Sequence, residues 1–279
     1  MPETTLLQTT NQLAFGLSRC GAVSDGVEVE EVEDKFTLVF PLSGVFVIDL
    51  EGSKVVATAA KGILLSTGQS RRVQHPFGGH DASAFIAMSP AMADSFLSLS
   101  GRFRVLAGAT SSAVDLGVRR LVTSAMDGEV GALELEEFTV NALSQLSEAY
   151  PERSASPNEA VRRVDEYLAV HFREDCGLAE VAHAVGYSSH HLSRSFRELT
   201  GETVSRRRMR LRLSNALSLI LEGADDLATV AVESGFYDHS HMTNSFRRHY
   251  GDTPNGVRLS SKGGSAPKRR GKNSRASPL

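Results

Sequence analysis

Apolar positions in the second half of the chain recur with the spacing of amphipathic helices, and one such pattern occurs twice. Residues 178–182 return 49 positions later as residues 227–231, with Leu, Ala, Val and Ala in the same places. Phe196 returns 50 positions later as Phe246, so the second copy contains one additional residue. This internal repeat predicts that one supersecondary unit is used twice.

Each copy predicts two helices joined by a tight turn. The first helix ends at Gly186 or Gly235, because glycine readily adopts the left-handed conformation that follows a helix. The second helix begins after an N-cap candidate, which is Ser188 or Ser189 in the first copy and Asp238 in the second. Its buried face is marked by apolar pairs four positions apart: Leu192 and Phe196, and Met242 and Phe246. This geometry is typical of a helix-turn-helix, whose second helix enters the DNA major groove.

Residues 203–221, which lie between the copies, predict one long amphipathic helix. Its apolar face contains Met209, Leu213, Ala216, Leu217 and Ile220. A helix of this length can hold two reading helices about 34 Å apart, which is one turn of DNA. One chain is therefore expected to contact two successive major grooves.

Short apolar runs separated by Gly, Pro, Ser and Asp dominate residues 10–110 and predict β-strands. Residues 49–53 lie between two of these runs and have the composition of a hairpin turn. Many short antiparallel strands at close spacing are typical of a barrel or jelly roll. The predicted strands cover residues 36–40, 45–50, 54–58, 63–65, 71–74 and 83–88.

Residues 90–150 change to a helical pattern, with helices predicted over 91–99, 114–125 and 134–149. A polar segment with two prolines follows and predicts a linker over residues 151–157. The apolar faces of the second and third helices contain Val114, Val118, Leu121, Val122 and Ala125, and Leu135, Phe138, Leu143 and Leu146.

Residues 157–259 resemble the DNA-binding domain of the AraC-type transcription regulators. Besides the repeat, the resemblance rests on residues 192–196 (Leu-Ser-Arg-Ser-Phe), on residues 239–242 (His-Ser-His-Met) and on the closing Gly251-x-x-Pro-x-x-x-Arg motif. It covers a little over a third of the chain. Arg207 stands where the family usually has an aromatic residue, which predicts altered packing. Asn244 replaces the usual Arg two places before the last Phe, which removes one expected contact.

The resemblance implies an α+β chain with a β-rich, cupin-like N-terminal domain and trailing helices. An all-α domain with two helix-turn-helix motifs joined by a long helix follows. The expected divisions are a sensor or dimerisation barrel (1–110), a helical segment (111–150), a linker (151–157), the DNA-binding domain (158–259) and a disordered basic tail (260–279). In the family the segment corresponding to residues 111–150 forms a dimer contact. The alternative is that its helices pack on the barrel.

Exposed positions near the start of each reading helix are expected to contact base edges, and later arginines to contact phosphate. We expect Arg194 to bind guanine and Asn244 to bind adenine, both in bidentate fashion. The alternative for Arg194 is an ion pair with Glu198 one turn later. The predicted DNA-contacting residues are Ser189, His190, Ser193, Arg194, Arg197, His239, Ser240, Thr243, Asn244, Arg247 and Arg248.

Five arginines between residues 206 and 212 begin the predicted connecting helix. Some of them are expected to contact the DNA backbone between the two grooves, and others to be solvated charge. Arg212 matches a family position that is usually internal, so we expect a structural role for it.

The charge of the chain is divided unequally between its halves. Residues 1–156 contain 11 Lys and Arg against 19 Asp and Glu, a net charge of −8, whereas residues 157–279 contain 19 against 14, a net charge of +5. This difference favours an acidic sensor domain joined to a DNA-binding domain. The basic tail lacks an apolar face, and we expect it to attract DNA without regard to sequence.

Candidate chemistry in the N-terminal half is sparse. His75 and His80 are the only histidines of the predicted barrel, and their spacing does not fit a His-x-His metal motif. Cys20 and Cys176 form no CxxC pair and are interpreted as structural thiols. Of Arg71 and Arg72, only one can point into a barrel, because successive strand residues face opposite ways. We therefore expect no catalytic residue, no metal and no cofactor.

The function predicted is sequence-specific regulation of transcription from double-stranded DNA. The regulator is expected to respond to an unidentified small-molecule effector, to dimerise through its N-terminal half and to have RNA polymerase as a candidate partner. No apolar run long enough for a bilayer and no signal pattern occur in the sequence, so a cytoplasmic location is expected. The alternatives are a cupin-type enzyme or a methyl-transfer repair protein fused to the reader, and a sequence-nonspecific DNA-bridging protein.

Overall fold

The computed structural model describes residues 3–23, 28–32, 35–50, 53–68, 70–75, 79–96, 105–149 and 159–262. The strands of these ranges are β1 (Glu3–Thr9), β2 (Leu13–Val23), β3 (Glu28–Val32), β4 (Phe36–Ser43), β5 (Val45–Leu50), β6 (Ser53–Thr58), β7 (Lys61–Leu65), β8 (Ser70–Gln74), β9 (Gly79–Met88) and β10 (Val105–Ala109). The helices are α1 (Pro90–Phe96), α2 (Ser112–Met126), α3 (Ala132–Ala149), α4 (Glu159–His171), α5 (Leu178–Val185), α6 (Ser189–Thr200), α7 (Val204–Leu221), α8 (Leu227–Glu233), α9 (His239–Tyr250) and α10 (Pro254–Lys262).

The strands form two antiparallel sheets that share a core. The larger sheet has the order β1-β2-β9-β4-β7-β10, and the smaller one has the order β3-β8-β5-β6. Apolar residues of both sheets meet between them, among them Ile48 and Val55 of the smaller sheet and Ile63 of the larger. The predicted α+β class, with a β-rich N-terminal half and a helical C-terminal half, is confirmed.

All six predicted strands lie within observed strands, but β1, β2, β3 and β10 were not singled out. The residues of β1 are mostly exposed because this strand lies at the edge of its sheet. The sequence of β3 is rich in Glu, and it too is an edge strand. β1 and β3 therefore show little of the apolar alternation by which strands are detected in a sequence.

Helices α2 and α3 pack against the larger sheet with the faces that the sequence marked as apolar. Val114, Val118 and Leu121 of α2 are buried there, together with Leu135 and Leu143 of α3. The proposal that these faces form a dimer contact is therefore wrong, because the fold of the chain itself covers them. Among the described residues, no helix combines the length and the apolar character needed to cross a bilayer.

Helices α4 to α10 follow the predicted pattern of two helix pairs joined by one long helix. Gly186 ends α5 in the left-handed conformation, with a φ of 81°. Gly235 has a φ of 80°, and a Cβ there would lie 2.5 Å from the backbone oxygen of Arg173, so this turn requires glycine. Helix α10 continues to Lys262, three residues into the range predicted to be disordered. The rest of that range, residues 263–279, lies outside the described residues, as does the predicted linker.

A buried network of ion pairs joins α7 to the barrel and to α4. The carboxylate of Asp165 on α4 lies 2.7 Å from Lys61 Nζ of β7 and 2.7 Å from a terminal nitrogen of Arg207 on α7. Arg207 also pairs with Glu202, which in turn lies 3.3 Å from Arg210. No side chain of the five is more than 10% exposed. We call these five residues the α7 ion network.

Backbone oxygens of the barrel complete this network. Arg210 donates to the carbonyl oxygens of Ala60 and Thr110 at 2.8 and 2.7 Å, and Lys61 donates to the carbonyl oxygen of Val56 at 2.7 Å. Ala60 has a φ of 62°, in the left-handed region that a non-glycine residue seldom occupies. Arg210 of the helical half therefore contacts the turn between β6 and β7 directly.

A second polar contact joins α2 to α7 and α9. Arg119 donates to the hydroxyls of Ser214 and Ser218 on α7 at 2.6 and 2.5 Å and is held by Asp115 at 3.1 Å. Tyr250 at the end of α9 donates to the other oxygen of Asp115 at 2.6 Å. Burial, reinforced by this carboxylate, raises the pKa of the Tyr250 hydroxyl well above its ordinary value. The helical half thus contacts the N-terminal half through two separate sets of residues, one on α4 and α7 and one on α7 and α9.

Burial opposes the ionisation of Asp165, but Arg207 and Lys61 outweigh it and hold the pKa of this carboxyl below its usual value. Asp165 is therefore ionised in the folded chain at neutral pH, where its charge stabilises two buried cations. Because the folded pKa is the lower one, this stabilisation is present above the pKa of the unfolded chain. It is lost as the pH falls towards the folded value.

Replacing Asp165 by Asn should destabilise the protein by about 3–5 kcal/mol, because buried Lys61 would lose its carboxylate partner and Arg207 would lose one of its two. The free energy of unfolding in urea measures this loss. Glu159→Gln, on the same helix, is the matched control: its ion pairs with Arg162 and Arg163 are exposed to water and contribute less than about 1 kcal/mol. Equal losses in the two variants would show that the α7 ion network does not stabilise the fold.

Candidate nucleic-acid interface

The first helix-turn-helix is formed by α5 and α6. Leu192 and Phe196 of α6 are fully buried against Val181 and Val185 of α5. The hydroxyl of Ser188 accepts the backbone N–H of His191 at 3.3 Å, so Ser188, not Ser189, is the N-cap. Burial of one face of α6 leaves the opposite face open to solvent, as a reading helix requires.

The open face of α6 borders a groove at the surface. His190, Ser193, Arg194 and Arg197 are exposed, and Ser189 is half-buried. All five were predicted to contact DNA, and all five line this groove together with Leu178 and Glu198. The structure therefore brings the first predicted reading set together on one surface.

Arg194 forms an ion pair with Glu198, which is the predicted alternative to a DNA contact. Its Nε lies 2.9 Å from an Oε atom of Glu198, and the two side chains are 73% and 61% exposed. Hydrogen bonding to Glu198 raises the pKa of the Arg194 guanidinium. Because water surrounds both groups, the pair restrains Arg194 only weakly and leaves its other N–H groups available.

The second helix-turn-helix is formed by α8 and α9, with Met242 and Phe246 fully buried. Asp226 caps α8 by accepting two backbone N–H groups, and Asp238 caps α9 by accepting the N–H of His241 at 2.6 Å. Of the predicted reading residues on α9, one is half-buried and the others are exposed. The exposed ones are His239, Ser240, Asn244, Arg247 and Arg248, and the half-buried one is Thr243.

Tyr237 is a surface residue that the sequence analysis passed over. In the first copy one aromatic residue, Tyr187, lies between Gly186 and the N-cap Ser188. In the second copy two aromatic residues, Phe236 and Tyr237, lie between the glycine and the N-cap Asp238, so Tyr237 is the additional residue. Its side chain is 91% exposed, and it directly precedes the N-cap residue of α9. The change of the repeat spacing from 49 to 50 was the signal that could have identified it.

The arginines at the start of α7 are mostly internal. Arg207 and Arg210 are buried in the α7 ion network, so the expectation that this cluster includes DNA backbone contacts is wrong for them. Arg212 donates to the carbonyl oxygens of Phe172 and Glu174 after α4, which confirms its structural role. Among the arginines of residues 206–212, Arg206 alone has an exposed side chain.

The aromatic residue usual at position 207 is replaced by a cation that still packs on an aromatic ring. The guanidinium carbon of Arg207 lies 5.5 Å from the ring centre of Phe196 on α6. A cation above an aromatic face at this distance is attracted by the ring electrons. Arg207 therefore links Phe196 of the first reader to the α7 ion network.

The N-terminal half contains a cavity of about 470 Å³ lined by residues of both sheets. Its apolar wall includes Phe46, Ile48, Val73 and Phe85, while Arg71 also lines it. Arg72 does not, in agreement with the expectation that only one of the two arginines points inward.

The two histidines of the N-terminal half differ sharply in exposure. His80 is exposed, whereas His75 is 5% exposed and its Nε2 lies 2.8 Å from an oxygen of Asp81. Burial raises the pKa of Asp81 even though His75 opposes this shift. His75 therefore lines the cavity, whereas His80 does not.

Comparison with known proteins identifies the helical half. A family model described as a helix-turn-helix domain matches residues 155–260. YbfI of Bacillus subtilis, named as an uncharacterized HTH-type transcriptional regulator, is 32% identical over 119 residues, which cover 41% of this chain and 43% of YbfI. SAS0078 of Staphylococcus aureus, which has the same description, is 23% identical over 141 residues, covering 49% of this chain and 19% of SAS0078. The chain spans less than half the length of these curated relatives.

Solved structures show a looser likeness. ToxT from Vibrio cholerae, in a crystal structure with a bound unsaturated fatty acid, matches 90% of this chain and 96% of its own at 12% identity, with a TM-score of 0.41. A regulator from Chromobacterium violaceum with an AraC-type DNA-binding domain matches 37% of this chain and 91% of its own at 22% identity, with a TM-score of 0.35. Neither superposition is close enough to add to the description of the site.

Replacing Asp238 by Ala should loosen the first turn of α9 by about 1 kcal/mol, because the N–H of His241 would lose its acceptor. Hydrogen exchange of the backbone amides of residues 239–243 measures this effect, with faster exchange expected. Asp238→Asn keeps an acceptor oxygen and should exchange like the wild type, and α6 serves as an internal reference. Equal protection in the Ala and Asn variants would contradict the role of Asp238 as a cap.

Proposed function

We propose that this protein, whose residues 155–260 match a helix-turn-helix family model, is a sequence-specific DNA-binding regulator of transcription. The observation that carries the proposal is the duplication of the reader. Two helices, α6 and α9, are each buried on one face and polar on the other, and α7 connects their two units. A chain built in this way can present two reading helices to one duplex.

The reading residues proposed for α6 and α9 differ in chemistry. On α6, Arg194 has the donors for a bidentate contact to guanine, while Arg197 is placed further along for phosphate. On α9, Asn244 can bind adenine, and Arg247 and Arg248 are placed for phosphate. The remaining contacts are proposed for Ser189, His190, Ser193, His239, Ser240 and Thr243. Tyr237 is added to this set because its exposed ring and hydroxyl stand beside the start of α9.

The cavity between the sheets is proposed as the effector site. Its volume of about 470 Å³ lies in the range of sites for small molecules, and its wall is mostly apolar with a few polar groups. Such a site suits a small molecule with an apolar body and a polar end. Residues 1–110 would then be the sensor and residues 158–259 the reader.

The α7 ion network offers a route by which the sensor could act on the reader. Leu65 of β7 lines the cavity, and Lys61 at the other end of the same strand binds Asp165. A ligand that displaced β7 would therefore act directly on α4 and α7. This route requires a ligand whose affinity differs between the arrangement with β7 in place and the arrangement with β7 displaced.

The proposed regulator acts in the cytoplasm as a homodimer, without a catalytic role. Since the apolar faces of α2 and α3 are covered within the chain, dimerisation through the N-terminal half would use other surfaces. RNA polymerase is a further proposed partner.

A footprint distinguishes this function from DNA bridging: a regulator protects a discrete site of about two major grooves per subunit, whereas a bridging protein covers the duplex uniformly.

Replacing Arg194 by Ala should weaken binding to the specific site on the order of 10- to 100-fold, because one bidentate base contact is lost. Binding to random DNA should change little. Affinities for both duplexes, measured by fluorescence anisotropy at one salt concentration, test this expectation. An operator selected from genomic fragments by the wild-type protein provides the specific duplex.

Glu198→Gln is the matched control for Arg194→Ala. It removes the same ion pair but keeps the guanidinium, so specific binding should be unchanged or tighter. If Glu198→Gln weakened specific binding as much as Arg194→Ala, the ion pair rather than a base contact would be responsible. A loss of equal size on random DNA would restrict Arg194 to phosphate contact.

Removing residues 263–279 should flatten the dependence of DNA affinity on salt, because this segment contains five Lys and Arg and no acidic residue. The measurement is the slope of log affinity against log salt concentration, for specific and random DNA. The truncation leaves α10 complete, since that helix ends at Lys262. An unchanged slope would show that these basic residues do not contact DNA.

A further inference from the structure

Three side chains with metal-binding atoms converge at one place on the wall of the barrel cavity. Cys20 lies on β2, His75 follows β8, and Asp81 lies on β9. One ligand atom from each (a sulfur, a ring nitrogen and a carboxylate oxygen) lies within 4.8 Å of the other two. Strands from both sheets are therefore needed to assemble this cluster, which we call the Cys-His-Asp cluster.

Two polar atoms at the cluster are buried without a hydrogen-bond partner. They are His75 Nδ1 and the hydroxyl oxygen of the neighbouring cavity residue Ser83. His75 and Ser83 are each 5% exposed. Buried polar atoms in native proteins are nearly always paired, so two such atoms beside one cavity indicate a bound polar species or ion.

His75 and Asp81 already bring two potential ligand atoms together. His75 Nε2 and Asp81 Oδ2 lie 2.8 Å apart as a hydrogen-bonded pair. The thiol of Cys20 lies close enough to complete a set of three ligand atoms with this pair.

We propose that Cys20, His75 and Asp81 bind one divalent transition-metal ion of the zinc class. A thiolate and an imidazole together favour zinc and its neighbours over magnesium or calcium, which prefer oxygen ligands only. Three protein ligands leave a coordination position open to a small molecule, as in zinc sites that bind water or substrate. All three residues line the cavity proposed for the effector, so that position can face it.

The proposal replaces the expectation that the chain binds no metal. That expectation considered His75 and His80 because they are close in sequence. The metal-binding residue that this expectation left out is Cys20, which lies 55 positions before His75 and comes near it only when the two sheets pack. His80 is exposed and does not belong to the cluster.

Cobalt(II) is the probe, because cobalt bound to a thiolate absorbs in the near ultraviolet and tetrahedral cobalt absorbs in the visible. Titration of the reduced, full-length protein with Co²⁺ should give both sets of bands and saturate at one equivalent. Zn²⁺ should then displace the cobalt and bleach the bands. A wild-type protein without a thiolate-to-cobalt band, or without saturable zinc binding, would overturn the proposal.

The variants locate the ion. Cys20→Ser should abolish the thiolate-to-cobalt band, and His75→Ala should abolish saturable cobalt binding at the same protein concentration. Cys176→Ser and His80→Ala, which change the other thiol and the nearby exposed imidazole, should bind cobalt as the wild type does. If Cys176→Ser lost the band while Cys20→Ser kept it, the site would lie elsewhere and the proposal would be wrong.

A loss of binding in Cys20→Ser or His75→Ala counts only if the variant is folded, which circular dichroism and a cooperative thermal transition establish. Asp81→Asn gives an independent test, because it keeps the shape of the side chain but weakens a carboxylate ligand; unchanged zinc affinity in this variant would contradict the assigned ligand set. All of these measurements are made without DNA, so their failure would leave the proposed regulatory function unaffected.

Discussion

Five buried charges at the start of α7 constrain the arrangement of the rest of the molecule. Lys61, Arg207 and Arg210 would each be costly to bury alone, and Asp165 and Glu202 make their burial tolerable. Such ion pairs tolerate little displacement, since a small separation of the partners exposes an uncompensated charge to a nonpolar environment. The relative position of barrel, α4 and α7 is therefore restricted far more closely than apolar packing alone would require, because apolar contacts have no preferred direction.

This constraint has a consequence for the two readers, since α7 contacts both. The start of α7 is held by the α7 ion network, and its middle is held by Arg119 through Ser214 and Ser218. Asp115, the residue that orients Arg119, also accepts from Tyr250 at the end of α9. The N-terminal half thus contacts α4 and the start of α7 through Lys61 and the carbonyl oxygens that accept from Arg210, and it contacts the second reader through Asp115 of α2. A movement of the barrel relative to α2 would be expected to change the angle between the readers.

Features of the fold that depend on local sequence patterns could be predicted from the sequence. Helix periodicity, glycine at helix ends and N-cap residues are properties of short segments, so α5 to α9 could be placed within a few residues. Arg207 and Arg210 were misjudged for a different reason. Five arginines in a short segment look like a solvated or DNA-contacting face, and their acceptors Asp165, Ala60 and Thr110 lie 42, 150 and 100 positions away. Contacts over such separations depend on the tertiary fold. The same limit explains why the Cys-His-Asp cluster could not be found.

The two copies of the repeat have diverged in ways that bear on recognition. The first reader presents Arg194, a cation with several donors, beside its exposed acidic partner Glu198. The second presents Asn244 and, through its one additional residue, the exposed ring of Tyr237. Guanidinium and amide groups select different bases, so the two halves of the recognition site should differ in sequence. An asymmetric site fixes the direction in which a subunit lies on the duplex. The divergence of the copies would then orient the N-terminal half relative to the start of transcription.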